Sequence, residues 1–230
     1  MSTPLPPGQK AIPEFPRFGV TRFARRFPRQ TSRAELQIIG DVERTLQLPD
    51  ALKGLPRVEQ ISDFHCVTTW SRRSLHWGGV RFRDFFESVA LPQAAPRASA
   101  GLVELRGQDG AHTGMLLTDL LAPDVLLADT LDGAPLGIEH GAPLRLVAPA
   151  HYGYKSLKHL SRLEFKAEDA GYRVSAFSFM DHPRARVALE ERGRGAPGCL
   201  LRYLYRPLIG ATVARFAKAM AEHRGSPDRD

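Results

Sequence analysis

The amino-acid sequence predicts an α+β protein, with a body of mixed β-sheet followed by a helical C-terminal appendage. Composition is the first observation behind this prediction, since 230 residues with 43% hydrophobic and 25% charged side chains are typical of a globular chain. The second is that residues 35–165 hold short apolar runs separated by Gly, Pro and Asp, which is typical of strands and turns. The third is that apolar residues recur at helical spacing beyond residue 166.

Five runs in the body are expected to be strands, because each is short, apolar and bounded by turn residues. They are ELQIIGDV (35–42), RVEQISDFHCV (57–67), GLVELRG (101–107), VLLADTLDG (125–133) and PLRLVAP (143–149). Two helices are expected among them. One has an apolar face spaced i, i+3, i+4 and i+7, formed by Phe82, Phe85, Phe86 and Val89. In the other, Thr118 is expected to cap a short helix that Pro123 ends.

Three further helices are expected in the C-terminal part of the chain. They are HPRARVALEERG (182–193), whose proline suits a first helical turn, PGCLLRYLY (197–205) and ATVARFAKAMAEH (211–223). In the second of these we expect Cys199 to be a buried core thiol. The third carries an apolar stripe that is expected to dock on the protein, formed by Val213, Phe216, Ala217 and Met220.

Charge divides the chain into three parts. Residues 1–34 hold 7 Lys/Arg against 1 Asp/Glu, residues 35–165 hold 13 against 16, and residues 166–230 hold 12 against 8. The first part is rich in proline, which breaks helices, and in phenylalanine. We therefore predict an extended basic N-terminal arm anchored by its phenylalanines, a body, and a helical extension packed on that body. The basic flanks are expected to be interaction arms.

Cysteine content and hydropathy indicate in which cellular compartment the protein is expected. Cys66 and Cys199 are too few and too far apart for a disulfide framework or a Cys-x-x-Cys metal site. No apolar run approaches the roughly 20 residues that cross a bilayer. The N-terminal residues also lack the apolar segment of an export signal. The expectation is a reduced, cytoplasmic protein.

Cys66 lies in a crowded stretch, DFHCVTTWSRRSLHWGGVRFRDFF (63–86), and three roles compete for it. A nucleophile needs a base, but His65 precedes it on a strand, where successive side chains point to opposite faces. A zinc site needs about four ligands, and the histidines fit no spacing with two cysteines. The third role is a single thiolate ligand to a metal that brings most of its coordination with it.

Two motifs resemble the sulfite-oxidase-type molybdopterin oxidoreductases, and most closely their small haem-free bacterial members. The first is Phe-His-Cys-Val-Thr (64–68) followed by Trp-Ser (70–71) and Trp-Gly-Gly-Val (77–80). The second is Pro-Leu-Arg-Leu-Val (143–147) followed by His-Tyr-Gly-Tyr-Lys-Ser (151–156). Both stand in the order expected of the family. The sequence departs from it at Thr69, where many relatives have Gly, and at His140, where many have Asn.

The resemblance implies a Mo–molybdopterin cofactor whose metal is ligated by Cys66. It also implies that the cofactor contacts are His65, Cys66, His140, Arg145, Gly153, Tyr154, Lys155 and Ser156. Gly153 would let backbone approach the cofactor phosphate, and Lys155 would supply a compact positive charge. Ser156 would begin a short SLKHL turn whose free N–H groups face the anion.

Other residues near these motifs receive simpler interpretations. Arg72 and Arg73 are predicted to guide an anionic or S-oxide substrate. Trp70 and Trp77 are expected to be packing residues, and Lys158 and His159 are expected to lie on a solvated surface.

The activity that the resemblance implies is two-electron oxygen-atom transfer on a small-molecule substrate. A separate redox carrier protein, of the haem or flavin type, would exchange the electrons, because no haem domain is visible in the sequence. The alternative is a cofactor-free binding protein. Its arm, residues 15–34, has six arginines, four phenylalanines and no acid, which suits single-stranded nucleic acid or an anionic membrane surface. Against this alternative, no nucleic-acid-binding motif is present.

Overall fold

The computed structural model describes residues 4–171 and 178–225. Within these residues the strands, numbered β1 to β11, are Lys10–Ala11, Leu36–Gly40, Leu46–Leu48, Arg57–His65, Trp70–Arg81, Leu102–Gly107, His112–Leu116, Leu126–Leu131, Ala134–Pro135, Arg145–Val147 and Leu160–Lys166. The α-helices, α1 to α4, are Phe82–Phe85, Leu117–Leu120, Gly198–Tyr205 and Leu208–Arg224. A π-helix, Phe86–Ala94, continues α1.

The strands form two mixed sheets. In the first, β1, β5, β8 and β10 are neighbours in that order, while β4 pairs with β5 and β9 with β8. The second has the order β3-β2-β11-β6-β7. Each sheet contains one parallel pair, β1 with β5 and β2 with β11, and its other pairs are antiparallel. The predicted α+β class with mixed strands is therefore confirmed.

The main core lies between the two sheets and the helix that follows β5. Burial of apolar side chains on facing strands supplies most of its stabilisation. Ile38 and Phe165 come from the second sheet, Leu127 and Leu146 from the first, and Phe85 from α1. Gly79 lets β5 and β8 approach closely, since a Cβ there would lie 2.1 Å from the Leu127 carbonyl oxygen.

All five predicted strands are present, with shifted ends, but six further strands were not predicted: the long strands β5, β7 and β11 and the short strands β1, β3 and β9. β5 is the longest, at 12 residues, and it holds Arg, Ser, His and Gly rather than a regular apolar alternation. It is a strand because β4, β8 and β1 all hydrogen-bond to it. The SLKHL segment, predicted to be a turn, consists of bends that lead directly into β11 at Leu160.

One helix prediction and one helix-cap prediction fail for local reasons. Residues 182–193 form turns instead of a helix, because Ala185 and Glu190 have positive φ angles of 56° and 51°. Thr118 does not cap a helix, because α2 begins one residue earlier at Leu117 and has no side-chain cap.

The C-terminal helices α3 and α4 form where the sequence predicts them, but they bury different residues. Cys199 is exposed rather than buried, because α3 turns Leu201 and Tyr205 toward the protein. The buried face of α4 is rotated from the predicted stripe; Ala217 is exposed, and the buried residues are Thr212, Phe216, Ala219 and Met220. None of the helices in the described ranges is long and apolar enough to span a membrane.

The N-terminal arm packs against the protein through its phenylalanines, with one 3-10 turn at Thr21–Phe23. Phe23 is buried, and Phe27 stacks on His223 of α4 with ring centroids 3.8 Å apart. Arg25 pairs with Glu222 of the same helix at 3.2 Å. The arm and α4 thus pack on each other, so part of the basic charge predicted to reach outward is engaged inside the chain.

Candidate cofactor and active site

The cysteine loop, residues 66–69, joins β4 to β5 and presents Cys66. Two backbone hydrogen bonds close the loop, from Cys66 N to the Trp70 oxygen (2.8 Å) and from Thr69 N to the Cys66 oxygen (3.1 Å). Thr69 has a φ of 84°, a left-handed conformation that glycine adopts more readily than a β-branched residue. The departure from the family pattern at this position therefore falls where the backbone favours glycine.

The Cys66 thiol is buried, and its Sγ lies 3.1 Å from Thr68 Oγ1. Burial raises the pKa of the Cys66 thiol, although the hydrogen bond to Thr68 and the charge of Arg192 act in the opposite direction. A nucleophilic cysteine needs a lowered pKa, so the free thiol is poorly suited to that role. A metal ion, in contrast, deprotonates a coordinating thiol outright.

His65 belongs to a hydrogen-bond chain that ties the cysteine loop to the N-terminal arm. Its Nδ1 lies 2.8 Å from Ser71 Oγ, which donates to Gln9 Oε1 at 2.9 Å. Gln9 Nε2 in turn donates to the Cys66 carbonyl oxygen at 3.0 Å. In this geometry His65 and Gln9 fix the backbone of the loop. Gln9 was not among the predicted site residues, because it lies 57 residues from Cys66 and no local pattern links the two.

Arg192 holds the other side of the loop. It is fully buried and donates to the Val67 carbonyl oxygen at 2.7 Å and to the Pro7 carbonyl oxygen at 2.9 Å. Its side chain pairs with Glu190 at 3.2 Å and lies over the Tyr152 ring at 4.9 Å. No local sequence pattern indicates this role of Arg192, because the residues it contacts come from distant parts of the chain.

Arg72 and Arg73 stand on β5 just after the cysteine loop, and both are half-buried. Arg72 Nη1 donates to the Arg73 carbonyl oxygen at 2.6 Å, and Arg73 pairs with Asp63 at 3.5 Å. Asp63 thus offsets part of the positive charge that was predicted to attract a substrate. Their role in guiding substrate stays a prediction.

A second feature is a buried group of basic side chains, which we call the cation cluster: Arg17, His140, Arg145 and Lys158. Arg145 Nη1 and Nη2 donate to the carbonyl oxygens of His140 (2.7 Å) and Ser156 (3.1 Å). Lys158 Nζ donates to the carbonyl oxygens of Phe18 (3.1 Å) and Glu139 (3.4 Å). These acceptors are neutral, so the hydrogen bonds do not cancel the positive charge.

Burial lowers the pKa of each group in the cation cluster, and for Lys158 and His140 the charges of neighbouring cations act in the same direction. Burial, together with the charges of Arg145 and Arg17, lowers the pKa of Lys158 to about 7. Burial lowers the pKa of Arg145 to about 9. Burial and the Arg145 charge lower the pKa of His140 to about 4. An anion bound among these groups would relieve the repulsion, which makes the cluster suited to a phosphate.

The predicted surface position of Lys158 and His159 is therefore wrong. The Lys158 amine lies inside the cation cluster, because the loop before β11 folds back on the arm. His159 is fully buried, and its Nδ1 lies 2.6 Å from the Ala142 carbonyl oxygen. Burial lowers the pKa of His159 to about 3.

Lys155, the residue predicted to hold the phosphate, lies in a different environment. It is fully buried; its Nζ donates to the Gly114 carbonyl oxygen at 2.7 Å and lies 3.6 Å from a carboxylate oxygen of Asp181. Burial lowers the pKa of Lys155 to about 8, although the Asp181 charge acts to raise it. Asp181 already compensates this ammonium group.

The other residues of the predicted phosphate loop also face the protein. A Cβ on Gly153 would lie 2.1 Å from the Phe64 ring, so the missing side chain makes room for Phe64. Ser156 Oγ accepts from the backbone N–H of Ala148 at 3.1 Å, and Tyr154 Oη accepts from that of His182 at 2.9 Å. These contacts shape the loop from within.

Aromatic side chains form a wall beside the cation cluster. Phe15 of the arm stacks on His140 at 4.8 Å and lies 5.0 Å from Phe64, while Arg145 lies 4.8 Å above the Trp77 ring. The Trp77 Nε1 atom is buried and has no hydrogen-bond partner among the described residues. Flat apolar walls with convergent donors are typical of sites for heteroaromatic ligands.

The residues present fit a cofactor that brings its own metal coordination and an anionic group. Within the described ranges, no group of three or more His, Cys, Asp or Glu side chains could hold a metal ion. A zinc site made by this chain alone thus finds no support there. A buried single thiol, an aromatic wall and a buried cation cluster remain, and these suit a metal–pterin phosphate.

Comparison with known proteins agrees with this chemistry. Residues 24–173 match the family described as the oxidoreductase molybdopterin binding domain. The uncharacterized oxidoreductase YuiH of Bacillus subtilis (strain 168) is 36% identical over 166 residues, which cover 72% of this chain and 80% of YuiH.

More distant relatives include catalytic subunits of the protein-methionine-sulfoxide reductase MsrP. That of Campylobacter jejuni is 30% identical over 67% of this chain, and that of Xanthomonas campestris is 28% identical over 70% of it. The chain spans only 60% and 57% of their lengths. Among solved structures, the sulfane dehydrogenase SoxCD from Paracoccus pantotrophus shares the fold, with a TM-score of 0.52 and 24% identity over 66% of this chain and 43% of that one.

Proposed function

The chain belongs to the sulfite-oxidase-type oxidoreductases with a molybdopterin binding domain, and from that premise we propose a two-electron oxygen-atom transfer at a molybdenum ligated by Cys66. The buried thiol is the observation that carries the proposal. Cys66 lies in the family's motif, on a loop fixed from both sides, and no protein-only metal cluster exists among the described residues.

The bound Mo–molybdopterin would supply the redox chemistry, since the metal can exchange an oxygen atom and two electrons with a substrate. The protein supplies the ligand and its orientation. Gln9 and Arg192 hold the carbonyl groups of Cys66 and Val67, which fixes the direction of the thiol. Thr68 hydrogen-bonds to the sulfur and favours the thiolate form.

We assign the cofactor's phosphate to the cation cluster rather than to Lys155. Arg145 and Lys158 are buried cations whose hydrogen bonds go to neutral carbonyl oxygens, whereas Lys155 is compensated by Asp181. His140 is neutral at physiological pH, because its pKa is lowered to about 4, and so it offers a hydrogen bond rather than a charge. Phe15 and Trp77 would flank the ring system.

The substrate we propose is a small S-oxide or related oxo compound. In the reductive direction an S-oxide, two protons and two electrons give the thioether and water. The names of the MsrP and SoxCD relatives, a sulfoxide reductase and a sulfane dehydrogenase, support a sulfur substrate for this chain. A separate carrier protein would exchange the electrons, and the site would be a cytoplasmic one.

The cofactor-free binding protein is disfavoured by how the arm packs. Its arginines and phenylalanines contact one another and the body: Arg17 donates to the carbonyl oxygens of Ala24 and Arg26 and lies 4.4 Å from the Phe27 ring centroid. Because Phe23 is buried and Phe27 stacks on His223, these rings offer little free surface to a base.

The test is to express the chain in a host that makes molybdopterin and to measure metal, pterin and turnover together. We expect stoichiometric Mo and pterin in the wild type, with dye-linked reduction of methionine sulfoxide or dye-linked oxidation of sulfite. Cys66→Ser should lose turnover, because an alkoxide is a harder and far less acidic ligand than a thiolate. Cys199→Ser is the matched control, since that cysteine is exposed on α3. Full turnover in Cys66→Ser, or a wild type without Mo, would refute the proposal.

A further inference from the structure

Helix α3 presents an unusual surface on the side that faces away from the protein. While Leu201 and Tyr205 are buried, the apolar residues of the opposite face are largely exposed. Their exposed fractions are 62% for Leu200, 60% for Tyr203, 59% for Leu204 and 47% for Leu208 at the start of α4. We call these four residues the α3 patch. Apolar side chains grouped in this way mark interaction sites more often than isolated ones do.

The α3 patch is bordered by positive charge. Residues 198–225 contain five Lys/Arg and only one acidic residue, Glu222, which pairs with Arg25 of the arm. Arg202 and Arg206 lie 5.3 and 5.6 Å from the Tyr203 ring centroid; Arg202 also pairs with Glu190 at 3.7 Å, so Arg206 is the less compensated of the two. Tyr and Arg are the residue types most enriched at the centres of protein interfaces. A partner with an acidic rim and an apolar centre would complement this surface.

The buried side of α3 connects directly to the cysteine loop. Tyr205 Oη donates to the Arg192 carbonyl oxygen at 3.3 Å, and Arg192 Nη1 donates to the Val67 carbonyl oxygen at 2.7 Å. Val67 follows the proposed metal ligand Cys66. A protein bound on the α3 patch would therefore lie behind the metal site, separated from it by one helix and one arginine.

We propose that the α3 patch is the docking surface of the electron carrier, and that this carrier is an acidic one-electron protein. The proposal rests on the function proposed above, since only a redox enzyme needs such a partner. In this proposal the carrier docks on α3 and not on the N-terminal arm, because Arg25 of the arm is paired and the phenylalanines of the arm are packed. Each turnover exchanges two electrons, so two encounters with a one-electron carrier complete it. Brief encounters of this kind are typical of small, charge-steered interfaces.

The probe for the test is a flavodoxin, an acidic one-electron carrier, and the protein is the full chain. Binding is measured by calorimetry at low salt, and electron transfer by the flavodoxin-linked rate. We expect Tyr203→Glu/Leu204→Glu to weaken binding and kcat/KM with flavodoxin by roughly tenfold or more. Turnover with a small dye should be unchanged, which also shows that the variant is folded. Arg206→Gln should weaken binding less and flatten its salt dependence.

The matched control is Ile61→Glu/Leu91→Glu, which changes two exposed apolar residues, 63% and 49% exposed, outside the α3 patch. It should leave flavodoxin binding unchanged. Absence of flavodoxin binding in the wild type, or equal binding in all variants, would overturn the proposal. If light scattering shows a dimer in the wild type and a monomer in Tyr203→Glu/Leu204→Glu, the α3 patch binds a second copy of the chain instead of a carrier. If the wild type floats with phosphatidylserine vesicles and only Tyr203→Glu/Leu204→Glu fails to do so, the α3 patch binds a membrane instead of a carrier.

The binding measurement separates this proposal from the proposed function. A chain that binds flavodoxin through the α3 patch but shows no dye-linked turnover would keep the docking surface and refute the oxygen-transfer function. A chain that turns over with dye but whose flavodoxin binding does not depend on the α3 patch would keep the oxygen-transfer function and refute the docking surface.

Discussion

Lys155 and Lys158 lie in the same loop, yet their ammonium groups have different neighbours. Lys155 points toward a carboxylate, Asp181, and the Gly114 carbonyl oxygen. Lys158 points toward the arm and Arg145, where its hydrogen-bond acceptors are the neutral carbonyl oxygens of Phe18 and Glu139. A carboxylate 3.6 Å away balances the Lys155 charge, whereas Lys158 is held by neutral carbonyl oxygens beside Arg145 and Arg17, so Lys158 is the better placed of the two for an anionic ligand.

Removing the carboxylate partner of Lys155 is expected to cause a large loss of stability. Asp181→Ala should destabilise the protein by about 3–5 kcal/mol, because it leaves a buried ammonium group without its carboxylate. Urea unfolding of the apo protein measures this loss. The double variant Lys155→Met/Asp181→Leu should recover most of the stability, since both charges are then removed. Equal losses in the two variants would contradict the pairing.

Breaking the Lys158 side should affect the cofactor instead. A hydrogen bond to a charged group contributes about 1.5–3 kcal/mol, so Lys158→Met should weaken cofactor retention by roughly ten- to a hundredfold. Mo and pterin content after dialysis measures it. The apo form of this variant should be as stable as the wild type or more stable, because a repelled buried charge is gone. If Lys155→Met loses the cofactor and Lys158→Met keeps it, the assignment of the phosphate to the cation cluster is wrong.

Gly153 precedes both lysines in the same loop, and its missing side chain makes room for the Phe64 ring. Gly153→Ala should destabilise the protein by about 1–3 kcal/mol, since the added Cβ would meet the Phe64 ring. Thermal unfolding measures the change, and Phe64→Leu combined with Gly153→Ala should recover part of it. Loss of cofactor without loss of stability would mean that the glycine makes room for the phosphate, as the sequence first indicated.

The pH dependence of the apo protein tests the buried Lys158 charge without the cofactor. Burial lowers the pKa of Lys158 to about 7 in the folded state, below the value of about 10.4 of an unfolded chain. Between these values the unfolded state binds more protons, so stability rises with pH, by up to about 1.4 kcal/mol per pH unit. Denaturation of wild type and Lys158→Met from pH 7 to pH 10 measures it. The slope should be smaller in Lys158→Met, and smaller also in the holoenzyme, where a bound anion raises the Lys158 pKa.

Much of the site could be predicted because its residues lie in two short motifs. Cys66 and Arg145 stand in local patterns of neighbouring residues, and strand alternation and turn residues identify the elements that carry them. The choice between Lys155 and Lys158 could not be made in this way. It depends on Asp181 and Arg17, which reach the loop only in the folded chain.

The α+β class, five strands, the two C-terminal helices and the family's cysteine motif follow from the amino-acid sequence alone, because each depends on the periodicity or identity of adjacent residues. Tertiary structure decided the rest. β5 is a strand through its partners on both sides, and residues 182–193 are turns that lie against the cysteine loop rather than a helix. Burial and charge compensation are set by groups far apart in the chain. Only the folded protein therefore decides which lysine is paired, which cysteine is exposed and which arginine holds the loop.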